Sequence, residues 1–416
     1  MKKKYNKLLE NMISLFTIKG LEYILAFITF PYLVRILQVE FFGAITFVQG
    51  IMQYFILFTD YGFNLIGPKE IAQQNNKMKK GIIFVNIFFS KIILLFIVTI
   101  LFILILIILN MIKDIDIKLY IISYLVVIGN VLFPIWFFQG IQEMRYITFV
   151  NLIARFISVF GIFYYVNQPT DYYLASFFQS ITPLIAAICS WIIILKGYRD
   201  ILVFPNKKMI KILFIKGWDI FISTIATNLY TASNVVFLGI FTNNTVVGYF
   251  SGAQKIILNM VQLISPIMQA IYPYVSQLSK VSTEKTLKFL KKIIIIVGGS
   301  CLIISLLIFI FADIIVMILL GPGYEQSIIL LKILSFLPFV IALSNIFGIQ
   351  TMLVFGLQRQ FSKILVSASI FNTIVVLLMI YFYQDVGTAI SIMVTETFVT
   401  ITMYIVLKKK NIYYFS

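Results

Sequence analysis

The chain has 416 residues, of which 61% are apolar and only 12% charged, and its mean hydropathy is +1.01. Soluble globular chains are about 45–50% apolar and about 25% charged, so this composition excludes an ordinary soluble domain and indicates an integral membrane protein. The formal net charge is +17 and there is no histidine, which excludes histidine triads, histidine metal sites and histidine proton relays.

Hydropathy and helix breakers predict twelve membrane-spanning helices, at 12–34, 43–66, 81–109, 119–140, 147–166, 172–195, 217–241, 247–278, 293–320, 327–353, 361–383 and 387–407. They are too long and continuous for barrel strands, which alternate over about 10 residues. The first follows the basic stretch Met1 to Lys7, is too long for a signal sequence, and reads as a retained span. It carries Lys19 and Glu22, three residues apart and therefore on one face. They read either as a self-neutralising pair between helices or as a pair facing a polar cavity. The second carries Gln49, Gln53 and Asp60. At 100° per residue the last two lie about 40° and about 20° from the first, which makes one polar stripe that lipid would not tolerate. Asp60 also reads as a solvated helix end. Lys91 in the third helix and Lys332 in the tenth read as snorkelling or locally paired.

Asp114-Ile115-Asp116, between the third and fourth helices, is a D-x-D of the type that can hold a metal. Flanked by Lys113 and Lys118 in a short connection, it reads as a solvated loop. Arg155 lies mid-span in the fifth helix; arginine stays charged and binds phosphate oxygens in a bidentate manner. The eighth helix places Lys255, Gln262 and Gln269 at intervals of seven, a second stripe, and Pro266 and Pro273 are positioned to bend it. Its Gly248 and Gly252 form a small-xxx-small face suited to helix packing. Asn243-Asn244-Thr245 matches a glycosylation sequon and reads as a loop. Cys189 and Cys301 sit in apolar runs and read as small buried hydrophobes.

The longest polar connection, 196–216, divides the chain into a lobe at 1–195 and a lobe at 217–416, with six helices each. Gly43 to Ile51 (GAITFVQGI) resembles Gly248 to Ile256 (GYFSGAQKI) at an offset of 205, and Ile18 to Glu22 resembles Ile215 to Asp219 at 197. An even number of spans per lobe makes such repeats parallel. Of the 33 Lys and Arg residues, 25 fall in one set of connections with both termini, three in the opposite set, and five within spans. The positive-inside rule then puts both termini in the cytoplasm. The large net charge is a topology signal, and no nucleic-acid partner is expected. Together the stripes describe a cavity between two lobes, richer in cations than in carboxylates. It suits an anionic solute or an amphiphile with a phosphate head.

Several stretches carry a resemblance. Pro31-Tyr32-Leu33-Val34-Arg35, Phe42-Gly43, Thr59-Asp60-Tyr61-Gly62-Phe63-Asn64-Leu65 with Lys69-Glu70-Ile71-Ala72, Trp136-Phe137-Phe138-Gln139-Gly140, Val247 to Ile256, Ser265-Pro266-Ile267 with Tyr272-Pro273, and Gly321-Pro322-Gly323-Tyr324 resemble, in order and spacing, the Wzx-type O-antigen flippases. The resemblance implies an all-α, twelve-helix fold similar to multidrug and toxin extrusion (MATE) transporters. It implies translocation of undecaprenyl-diphosphate-linked oligosaccharide from the cytoplasmic to the periplasmic leaflet of the bacterial inner membrane, without covalent chemistry and without a cofactor. Cavity cations that meet the diphosphate map by position onto Lys19, Arg155 and Lys255. The family's eighth span often has Glu-Lys where this chain has Gln254-Lys255, so any proton or sodium coupling falls to Glu22, Asp60 or Asp219. Membrane lipid, and polymerase and chain-length proteins of the same process, are the implied partners; a monomer is expected.

Other readings fit less well. A drug or cation exporter on the same architecture would want carboxylates to dominate its cavity. A membrane-embedded glycosyltransferase or O-antigen polymerase needs a sizeable periplasmic segment. A scaffold subunit would not need polar stripes.

Overall fold

The computed structural model describes residues 2–112, 115–198, 203–231, 233–412 and 414; the side chains of 2–19, 21–23, 112, 223, 226, 227, 229–231 and 270 lie outside the described set. The described residues are helical and contain no strand. Eight helices are long and apolar enough to cross a bilayer, and a ninth is added if Asn244–Val281 is taken across its bend.

In chain order the helices are α1 (Lys2–Asp60), α2 (Phe63–Ala72), α3 (Lys77–Ile112), α4 (Ile117–Leu132), α5 (Ile135–Gly140), α6 (Met144–Tyr165), α7 (Tyr172–Gly197), α8 (Lys207–Thr231), α9 (Ser233–Phe241) and α10 (Asn244–Val281). They continue as α11 (Thr283–Ile293), α12 (Gly299–Ile310), α13 (Ala312–Leu319), α14 (Gln326–Leu334), α15 (Leu337–Asn345) and α16 (Gln358–Lys409). The longest two are interrupted. α1 breaks at Gln38 (φ 59°) and α16 at Gln384 (φ 46°), each a non-glycine residue in the left-handed region. At the second break the Asp385 carboxylate accepts from the Val386 N–H at 2.9 Å and so caps the helix that follows.

The observed elements differ from the predicted ones at several points, among them a break at Phe311 within 293–320 and one at Ser335-Phe336 within 327–353. The predicted helix at 43–66 ends at Asp60, because Tyr61 (φ 49°) and Gly62 (φ 81°) turn the chain before α2 begins. The predicted helix at 119–140 splits at Phe133-Pro134: proline has no N–H to donate and holds Phe133 extended (ψ 106°). Residues 207–216, read from sequence as connection, are the first turns of α8. α10 is bent by 41° after Gln269, where Pro273 removes the bond to the Gln269 carbonyl.

The chain forms two compact units. One comprises Met1–Leu37 with Val48–Ile225, the other Gln38–Phe47 with Ala226–Ser416. The first is centred on an aromatic cluster: Phe63, Phe84, Trp136, Phe137 and Phe138 are buried with Ile71, Ile194 and Leu213. The second is centred on Met268, Val275, Leu290, Cys301, Ile346, Met352, Met403 and Leu407. Cys189 and Cys301 are both free thiols. Among the membrane-length helices α3 contains the most apolar stretch, and only 17% of that stretch is covered by protein. Phe96, Ile100, Leu104 and Ile107 are exposed along it, as expected of a face turned to lipid.

Within the second unit, the stretch 39–47 crosses the start of α10 at a reciprocal pair of glycines. A Cβ added to Gly43 would collide with the Asn244 carbonyl, and one added to Gly248 with the Val39 carbonyl. Each glycine therefore faces the carbonyl four residues before the other. Val39 and Asn244, like Gly43 and Gly248, are related by the offset of 205 that links the two similar sequence segments. The two copies of the repeat thus touch each other, at the one point where neither tolerates a side chain.

Candidate functional site

The α1 stripe lies in the first unit. Gln49, half-buried, donates from Nε2 to Gln179 Oε1 of α7 at 2.8 Å. Gln53 is exposed one turn on, while Val48, Met52 and Phe55 are buried along the neighbouring face of the helix. The stripe ends in an ion pair: Lys91 Nζ of α3 lies 3.1 Å from Asp60 Oδ1 and 3.4 Å from Asn64 Oδ1. The Lys91 side chain is 2% exposed and that of Asp60 21%. A buried ammonium needs such partners, because desolvation without them costs several kcal/mol. Lys332 is likewise paired, with Asp313 at 3.1 Å. Arg155, half-buried, lies on α6, which packs along α7.

In the second unit Lys255 is half-buried, and its ammonium lies 5.4 Å from the centre of the Phe42 ring, within range of a cation–π contact. Gln262 and Gln269 are exposed on the same helix, and Gln269 Nε2 donates to Ser265 Oγ at 3.0 Å. Lys19 and Glu22 lie outside the residues whose side chains are described. The structure therefore brings Gln49 to Gln179 and Asp60 to Lys91. It leaves Gln53, Gln262 and Gln269 exposed, as polar groups on otherwise apolar helices.

Sequence reasoning missed Gln179 and Asn64 as partners and did not join Lys91 to Asp60. The only signal for Gln179 is a glutamine flanked by Ser176 and Ser180 in an apolar helix.

The D-x-D motif has a structural role at its second residue. Asp116 caps α4 by accepting from the Leu119 N–H at 3.2 Å, and it accepts the Tyr172 hydroxyl at 2.6 Å. Asp114 lies outside the described residues. Asp116→Ala is expected to lower stability by about 1 kcal/mol through the lost cap and to leave function intact. A variant that folds normally in a thermal melt yet loses all activity would restore a catalytic reading of the motif. Asn243 of the sequon similarly caps α10, accepting from the Val246 N–H at 3.0 Å.

The segments that carry the family resemblance build the fold. Tyr32 donates its hydroxyl to the Val166 carbonyl at 2.7 Å. Tyr61 stacks on Phe221 with ring centres 4.6 Å apart, and Trp136, Phe137 and Phe138 fill the first core. Tyr324 is buried beside Tyr249, whose carbonyl accepts from the Ser327 hydroxyl at 2.9 Å.

Comparison with known proteins places this arrangement. The polysaccharide biosynthesis protein family matches residues 8–279. A protein of Escherichia coli (strain K12) named "Putative O-antigen transporter" is 34% identical over 408 residues, covering 97% of each chain. One of the same name from Shigella dysenteriae is 29% identical over 396 residues, 95% of this chain and 98% of that one. Among solved structures, the lipid II flippase MurJ in an inward closed conformation superposes with a TM-score of 0.74 at 12% identity, covering 95% of this chain and 87% of that one. An inward-facing MATE family transporter of the MOP superfamily superposes with a TM-score of 0.65 at 12% identity, covering 93% and 98%. At that identity the two solved structures speak to the fold, which this chain shares. On the extent of the sequence match, the chain belongs to the polysaccharide biosynthesis protein family.

Proposed function

We propose that this chain is a flippase. It carries undecaprenyl-diphosphate-linked O-antigen or polysaccharide repeat units from the cytoplasmic to the periplasmic leaflet of the bacterial inner membrane, by alternating access. The observation that carries the reading is the 34% identity to a named O-antigen transporter over 97% of both chains. The fold shared with a lipid II flippase agrees with it. Twelve crossings follow if α1 and α16 each count twice across their breaks, α8 and α9 together make one, and α10 makes one. The strong bias of Lys and Arg to one set of connections supports cytoplasmic termini. The two lobes are proposed to move as bodies about a binding site whose cations meet the diphosphate.

Lys19, Arg155 and Lys255 are the proposed cations, with Gln49, Gln53, Gln262 and Gln269 as neutral polar contacts for sugar. Proton or sodium coupling is assigned to Glu22, Asp60 or Asp219. Polymerase and chain-length proteins are the proposed downstream partners, and the functional unit is a monomer. In the host, deleting the gene should abolish surface polysaccharide, and a plasmid copy should restore it; a deletion strain with normal surface polysaccharide would overturn the reading. Lys19→Ala, Arg155→Ala and Lys255→Ala should each fail to restore it at normal membrane levels. Arg155→Lys separates bidentate phosphate contact, which lysine cannot replace, from simple charge. If all three alanine variants complement fully, the site assignment fails although the flippase reading stands.

A further inference from the structure

Arg359 and Lys363 differ from the paired basic residues. Lys91, Lys216, Lys288 and Lys332 each hold a carboxylate at 2.6–3.1 Å. Arg359 and Lys363 hold none among the described residues, although both are exposed and lie one turn apart at the start of α16. They share one open face of α16 with Ser362, Val366, Ser367 and Ile370. The Ser367 hydroxyl is already bonded to the Ile364 carbonyl at 2.8 Å, which leaves Ser362 as the neutral donor beside the two cations. Past Ile370 the same face stays apolar and exposed through Ile374 and Leu377 to Tyr381, and no residue from 364 to 383 is charged. At 1.5 Å per residue, the 22 steps from Arg359 to Tyr381 cover about 33 Å, close to the thickness of a bilayer's hydrocarbon core. The stripe therefore has two cations at one end and hydrocarbon-compatible surface along the rest.

We propose that this face of α16 seats the headgroup of an anionic glycerophospholipid of the cytoplasmic leaflet. Its phosphodiester lies between the Arg359 guanidinium and the Lys363 ammonium, and its acyl chains run along Val366 and Ile370. The charge complementarity is that of one phosphodiester with a guanidinium fork and a point charge. The apolar continuation distinguishes a lipid from a free anion. The inference rests on the orientation proposed above, which puts Arg359 and Lys363 at the cytoplasmic surface; it does not depend on transport.

Native mass spectrometry of the full chain, with phosphatidylglycerol titrated against phosphatidylcholine, tests it. One tightly held phosphatidylglycerol is expected on the unsubstituted chain and on Lys291→Gln/Lys292→Gln, a basic pair elsewhere in the sequence. Binding should weaken by about thirtyfold in Arg359→Gln/Lys363→Gln, since each cation near an anionic surface contributes a few-fold to about fivefold. The charge-conserving Arg359→Lys/Lys363→Arg should keep it, which separates lost charge from misfolding. Full retention by the glutamine variant, equal binding of phosphatidylcholine, or equal affinity for inorganic phosphate would each overturn the proposal. So would displacement of phosphatidylglycerol by undecaprenyl phosphate at lower concentration, which would make this face a substrate seat. Loss of transport with lipid counts unchanged bears on the flippase reading alone.

Discussion

Gly43→Leu and Gly248→Leu should each abolish accumulation of folded protein, and the alanine variants should leave it markedly destabilised. At most helix positions the opposite holds, since alanine favours a helix over glycine by about 1 kcal/mol. Here the first side-chain carbon has nowhere to go. The Gly43 Cβ would meet the Asn244 backbone, and the Gly248 Cβ the Val39 backbone. Backbone carbonyls cannot rotate away as a side chain can, so the helices must separate along their length. Overpacking a tight site typically costs 1–3 kcal/mol, and two helices forced apart should exceed about 3 kcal/mol. Gly299→Ala is the control: nothing lies within 4 Å of its added Cβ. Folded yield reads the two leucine variants and thermal unfolding in detergent the three alanine variants, and a Gly43→Leu protein that accumulates and melts with the unsubstituted chain would show that the two helices do not cross there.

The second large effect concerns the buried ammonium of Lys91. Lys91→Met leaves Asp60 without its partner, and Asp60→Asn leaves a charge that is 2% exposed with only neutral amide oxygens, at positions 60 and 64, beside it. Breaking one side of a buried pair costs about 3–5 kcal/mol. The cost should be larger for Asp60→Asn, because the lysine it strands is the more deeply buried group, whereas the stranded Asp60 retains 21% exposure. Removing both charges, as Lys91→Met/Asp60→Asn, should recover most of the loss. A double-mutant cycle on thermal stability measures the coupling, and additive losses would mean that the two side chains do not act as a pair.

What the sequence reveals here follows the range of the physics involved. Spans are local, and windows of apolar residues locate the eight membrane-length helices. The breaks inside them are also local but easily masked: Tyr61-Gly62 lies in a stretch that stays apolar on average, so hydropathy carried the helix through to 66. The basic run 207–216 looked like a connection because charge hides helical periodicity, yet it forms the first turns of α8. The repeat at Gly43 and Gly248 was visible as similarity, but that its two copies meet face to face is a property of packing. Pairings across helices left least trace. Lys91 and Asp60 are 31 residues apart, and Gln49 and Gln179 are 130 apart. Nothing in either local pattern names the partner. The motifs that carry the family resemblance turn out to be turns, caps and aromatic packing. They identify the fold better than they identify the sugar.

The most direct test is to find where the lipid-linked repeat unit stops when the gene is removed. Intact cells of the deletion strain and inverted vesicles from it would be labelled with an impermeant reagent that reacts with the sugar. The proposed function predicts complete, unpolymerised undecaprenyl-diphosphate repeat units that react only from the cytoplasmic face, together with loss of surface polysaccharide. Repeat units accumulating on the periplasmic face would contradict it and would place this chain after translocation, at polymerisation or ligation.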